Sequence, residues 1–139
     1  MDKQFKILIV DDSHTIRTML KNALMHSGFV QFAGFDEAEN GSNALHVLTR
    51  DKFHMVISGW DMPKMDGLEL LRQMRASEKF KHIPFIMVSS ASESQKVVEA
   101  IKTGVDEYIT KPIKPDDFAH RVKDVLIKHY SQTNRTSNE

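Results

Sequence analysis

The sequence predicts an α/β fold, a five-stranded parallel sheet wrapped by helices on both faces. Three observations carry this expectation. Five short apolar runs alternate with five stretches whose apolar residues recur at helical spacing, the pattern of successive βαβ units. Most of the runs are continuous rather than alternating, as expected of strands covered on both faces. They end on polar residues or glycine, at the sheet edge where ligands gather in such folds.

Lys6 to Val10 is the first run, and it delivers two carboxylates, Asp11 and Asp12, at its end. Ser13 can cap the helix that follows, in which Ile16, Met19, Leu20, Ala23 and Leu24 fall at helical spacing and which Gly28 stops. A less regular strand lies within Phe29 to Ala38, and Asn40, Gly41 and Ser42 open a short helix carrying Ala44, Leu45 and Leu48. The third strand, Met55 to Ser58, breaks at Gly59 into a loop punctuated by Pro63 and Gly67, before a helix from Gly67 to Arg75 with Leu68, Leu70, Leu71 and Met74 inward. Pro84 to Ser89 is the fourth strand. Ser92 or Ser94 can cap the next helix, with Val97, Val98 and Ile101 in its core and Gly104 at its end. Tyr108 to Thr110 is a brief fifth strand before Lys111 and Pro112. Pro115 then starts an amphipathic helix with Asp116 and Asp117 in its first turn, where the helix dipole favours negative charge. Residues 1–130 are expected to form one domain, and residues 131–139, almost without apolar content, a disordered tail.

Composition narrows the function. With 139 residues, 40% of them hydrophobic, the chain suits a single core. Nineteen basic against nineteen acidic residues give no net charge, which argues against a nucleic-acid footprint. The absence of cysteine excludes disulfides and thiol chemistry. No apolar run approaches the roughly 20 residues of a membrane span, and the N-terminus lacks the apolar core of a signal peptide, so a cytoplasmic protein is expected.

If the strand ends converge, Asp11, Asp12, Gly59, Ser89 and Lys111 surround one pocket. Two carboxylates suit a hard cation such as Mg²⁺, a lysine suits phosphate, and a serine hydroxyl can donate to a phosphoryl oxygen. These are the parts of a phosphoryl-transfer site, without an acceptor. Blander readings stand beside this one. The two aspartates can belong to a helix cap, Gly59 can permit a close backbone approach, and Trp60 can cover the pocket or merely pack. The seven histidines lack the spacing of a zinc site and read as surface residues.

The motifs Val10, Asp11 and Asp12, then Val56 to Pro63 (Val-Ile-Ser-Gly-Trp-Asp-Met-Pro) with Asp66 and Gly67, then Met87 to Ser89, then Tyr108 to Pro112, fall in order at the ends of successive strands. Over residues 5 to 128 the chain resembles the CheY-like (chemotaxis) receiver domains of two-component response regulators. The resemblance implies a flavodoxin-like, doubly wound sheet of order 2-1-3-4-5 with five helices. It implies that Asp11 and Asp12, with the backbone carbonyl of Asp61, bind Mg²⁺. Ser89 matches the hydroxyl that moves to the phosphoryl group, Lys111 the lysine that contacts it, and Tyr108 the aromatic switch. Gly59 matches the aspartate that takes the phosphoryl group from a histidine kinase.

At Gly59 the chain departs from that pattern, and the family's reaction loses its nucleophile there. Ser58 is a poor substitute, because adjacent strand side chains point to opposite faces. Asp61, two residues on, is better placed but lies in the loop before Pro63. The expectation is a stand-alone receiver, not an enzyme, with weakened Mg²⁺ binding. Its partners would be a histidine kinase and a flagellar motor switch protein or another separate output protein, with no role for nucleic acid or membrane. The alternative is an adaptor of the same fold that binds constitutively, without phosphorylation. A flavin enzyme fits poorly, because Asp11 and Asp12 would repel flavin phosphate.

Overall fold

A computed structural model describes the backbone of residues 4–28, 31–91 and 93–138, with side chains as far as Ser131. Phe29 and Ser92, which enter the expectations above, lie outside the described residues. Ten elements alternate: β1 (Gln4–Val10), α1 (His14–Ser27), β2 (Gln31–Ala38), α2 (Gly41–Leu48), β3 (Met55–Ser58), α3 (Gly67–Ala76), β4 (Phe85–Ser89), α4 (Ser94–Thr103), β5 (Glu107–Thr110) and α5 (Pro115–Asn138). The strands form one parallel sheet in the order β2-β1-β3-β4-β5, as expected.

Strand side chains alternate between the two faces, so each strand feeds two cores. Leu8, Val10, Val56, Phe85 and Met87 pack with Ala44 and Leu48 of α2, Leu70, Leu71 and Met74 of α3, and Ala100 of α4. Ile7, Ile9, Ile57, Ile86 and Val88 pack with Leu20 and Leu24 of α1 and Phe118, Val122 and Leu126 of α5. Each of the larger of these side chains, the alanines excepted, contributes roughly 1.5–3 kcal/mol through burial.

The helix boundaries follow local chemistry. Ser13 Oγ accepts from the Ile16 N–H at 3.2 Å, Asn40 Oδ1 from Asn43 at 2.8 Å and Asp66 Oδ1 from Glu69 at 2.9 Å. Gly28 and Gly104 close α1 and α4 in the left-handed region, with φ of 69° and 113°.

Two expectations need correction. Ser94 is the first residue of α4 rather than its cap, and the cap position, Glu93, makes no side-chain hydrogen bond. Val98 and Ile101 are 46% and 60% exposed, because α4 turns Ala100 to the sheet and leaves these two on its outer side. The backbone of α5 is helical from Pro115 to Asn138, and no proline or glycine follows Pro115.

One fastening was not foreseen. The Arg75 guanidinium donates to the carbonyls of Gly104, Lys81 and Ile83 and pairs with Asp106 at 2.9 Å, tying α3 to the loop before β5.

The loop after β3 is pinned by a close approach. The Gly67 N–H donates to the Trp60 carbonyl at 2.8 Å, and a Cβ on Gly67 would lie 2.0 Å from the Gly59 carbonyl oxygen. Gly67→Ala should therefore cost more than about 3 kcal/mol in urea unfolding, because backbone must give way. Gly34→Ala, where a Cβ meets nothing within 4 Å, should change stability by less than about 1 kcal/mol. Equal costs would contradict this account of the loop.

Candidate functional site

Register decides which residues become neighbours at the carboxyl edge of the sheet. Val10 pairs with Ser58, and the Gly59 N–H donates to the Val10 carbonyl at 2.8 Å, so Asp11 emerges beside Gly59. On the other side Ser89 pairs with Thr110, and the Lys111 N–H donates to the Ser89 carbonyl at 2.9 Å. The fold thus gathers Asp11, Gly59, Ser89 and Lys111, far apart in sequence, at one edge.

Asp11 sits at the centre and is only 4% exposed. Its Oδ1 accepts from the Ser13 N–H at 2.9 Å, and its Oδ2 faces Lys111 Nζ at 3.8 Å. A Cβ on Gly59 would stand 2.6 Å from that Oδ2, so the Asp11 carboxylate fills the room in which a side chain at 59 would begin. Burial pushes the Asp11 carboxyl above its ordinary range, against the Ser13 hydrogen bond and the Lys111 charge, which favour the carboxylate.

The backbone of Asp11 is held as firmly as its side chain. Arg17, buried on α1, donates from Nη1 to the Asp11 carbonyl at 2.5 Å and from Nε to Glu37 on β2 at 2.7 Å. Lys21 adds a second bond to Glu37 at 3.1 Å. Nothing in the sequence marks Arg17 as inward-facing, since its partner lies twenty residues away.

Asp12 and Asp61 are exposed at the mouth of the site. Asp12 lies close enough to Asp11 for its charge to raise the Asp11 carboxyl further. Among the described residues no three acidic or histidine side chains converge as a metal cluster. Two adjacent carboxylates still fit Mg²⁺, which takes oxygen ligands, needs one or two carboxylates and keeps several waters.

Ser89 and Tyr108 both hold Ala91. Ser89 Oγ accepts from the Ala91 N–H at 3.0 Å, and the Tyr108 hydroxyl donates to the Ala91 carbonyl at 2.6 Å. Trp60, 6% exposed, packs edge-on to Tyr108 with ring centroids 6.3 Å apart, so of its two readings the packing one holds. Lys96 Nζ lies 5.3 Å over the Trp60 ring. Ser58 is buried and donates to the Gly59 carbonyl at 2.8 Å.

Residues 7–123 match the response regulator receiver domain. The chain belongs to the response regulator receiver family. It is 40% identical over 112 residues to the chemotaxis protein CheY-3 of Vibrio cholerae, covering 81% of this chain and 84% of that one. It is 38% identical over 121 residues to the chemotaxis protein CheY of Pseudomonas aeruginosa, covering 87% and 95%. Among solved structures, V. cholerae CheY4 superposes with a TM-score of 0.79 at 28% identity, over 88% of this chain and 99% of that one. A CheY-like receiver from Methanospirillum hungatei gives 0.82 at 25% identity, over 94% and 99%. The fold is the flavodoxin-like receiver fold, and the chain is a CheY-like receiver of two-component signalling.

The charge network that anchors Asp11 in this receiver has a pH signature. The Arg17 hydrogen bond, with help from Lys21, holds the Glu37 carboxyl below the ordinary carboxylate range. A folded pKa below the unfolded one gives stability that is present above the unfolded value and is lost as pH falls through the folded value. At neutral pH, Glu37→Gln should be less stable by about 1 kcal/mol. The gap should close as acid takes the solution through the lowered Glu37 range, followed by urea midpoints. A gap that persists in acid would mean the charge of Glu37 is not what holds Arg17.

Proposed function

We propose that this receiver relays its signal without an aspartyl phosphate of its own. The observation that carries the reading is Gly59. It stands at the end of β3, where the family resemblance puts the acceptor aspartate, and the neighbouring Asp11 carboxylate takes up the room. Neither nearby group replaces it well. Ser58 is buried with its hydroxyl committed to the Gly59 carbonyl, and Asp61 is exposed in the loop.

The other site residues keep the family's roles in this reading. Asp11 and Asp12, with the Asp61 carbonyl, would hold Mg²⁺, more weakly than a receiver with a third carboxylate. Mg²⁺ when bound supplies positive charge for phosphoryl oxygens. Ser89 and Lys111 are the phosphoryl-contacting residues, and Tyr108 with Ser89 forms the switch. The partners are a histidine kinase and a flagellar motor switch protein or another output protein, with the exposed Val98 and Ile101 of α4 available for docking.

One observation favours constitutive binding as a second reading. Ser89 and Tyr108 are joined through Ala91, and Tyr108 packs on Trp60, all without a phosphoryl group. A ligand shifts a two-state equilibrium only by its differential affinity for the two states. With no covalent phosphoryl group, the population at Tyr108 is whatever the chain's own contacts make it.

Binding to a flagellar switch peptide, with and without a small phosphodonor and Mg²⁺, tests this. Affinity should be unchanged within about twofold, under ~0.5 kcal/mol. In Gly59→Asp, where Asp11 must turn aside, phosphodonor should tighten binding in a manner dependent on Mg²⁺, Ser89 and Lys111. A phosphodonor response in the unaltered chain would sink the reading. No response in Gly59→Asp would sink the assignment of the pocket.

A further inference from the structure

We propose that Lys111 serves this receiver as a built-in cation: its ammonium holds the Asp11 carboxylate over Gly59, so one internal ion pair fills the place of an acceptor side chain and occupies the oxygen a divalent cation would seek. The inference rests on the reading of Asp11 as part of a cation site and adds to it a residue that competes for that site.

Three features of the edge support it. Asp11 is almost wholly buried, and a buried carboxylate needs compensation. Arg17 donates to the Asp11 backbone carbonyl and to Glu37, whereas the Asp11 carboxylate pairs with Lys111. Lys111 Nζ is at 3.8 Å from Oδ2, its side chain 30% exposed, which leaves the ammonium partly hydrated and able to withdraw.

Gly59 is what permits the arrangement. A Cβ there would meet Asp11 Oδ2 at 2.6 Å and press the carboxylate away from the position it holds beside Lys111. Oδ1 is engaged by Ser13, so an arriving Mg²⁺ meets the ammonium at Oδ2 and must displace it or share the oxygen. The site then stays ordered without metal and responds weakly to it.

The test uses the full chain, Mg²⁺ as the probe and Trp60, the sole tryptophan, as the reporter, together with thermal unfolding in chelator. Lys111→Met is compared with Lys114→Met, which removes the same charge from an exposed residue nearby. Lys111→Met should lower the unfolding midpoint in chelator, recover part of the loss in Mg²⁺, and bind Mg²⁺ at least about fivefold more tightly than Lys114→Met does. Equal Mg²⁺ affinity in the two variants, or an unchanged midpoint in chelator, would overturn the proposal. Should Lys111→Met fail to fold, Lys111→Gln carries the same expectations and the same contrary outcomes. Phosphoryl uptake enters neither readout. A phosphate adduct on the chain would therefore unseat the reading of Gly59 while leaving this result to stand or fall by itself.

Discussion

The hydrogen bond from the Gly59 N–H to the Val10 carbonyl continues the β1–β3 ladder one step past the end of β3, and the rest of the site depends on it. That step places Asp11 beside a residue with no side chain. The same glycine carbonyl receives the Ser58 hydroxyl and lies against Gly67, so the loop carrying Asp61 is folded as tightly as backbone allows. A substituent at 59 would displace a carboxylate, and one at 67 would displace backbone. The first is tolerable to a flexible side chain; the second is not.

From this edge the contacts run outward in two directions. Toward α1 and β2, Arg17 and Glu37 hold the backbone from which Asp11 projects. Toward α4 and β5, Ser89, Ala91, Tyr108, Trp60 and Lys96 form a contiguous set in which each member touches the next. In the family such a set is biased by a phosphoryl group. Here the set is joined by protein groups alone, and Val98 and Ile101 stand exposed on the outer side of α4.

Much of this was legible in the sequence because central parallel strands are buried on both faces. Ile7 to Val10, Met55 to Ser58 and Phe85 to Ser89 are all buried, and each reads as an unbroken apolar run. The edge strands β2 and β5 are only partly buried and read less clearly for the same reason. Single-residue signals worked where the chemistry is local, as with the caps at Ser13, Asn40 and Asp66. They failed where a distant partner decides. Arg17 is held by Glu37, twenty residues away, Lys96 lies over the Trp60 ring, and Val98 and Ile101 stay outside although their spacing suits a core. The occupation of the space over Gly59 by Asp11 has no sequence signature, since it follows from register and a rotamer.

The central claim is that no group at this edge accepts a phosphoryl group in place of the missing aspartate. Incubation of the chain with a small phosphodonor and Mg²⁺, followed by intact-mass measurement alongside Gly59→Asp, tests it most directly. The account predicts an unmodified mass for the chain and a phosphoryl adduct on Gly59→Asp. A stoichiometric phosphoryl adduct on the chain itself would contradict it.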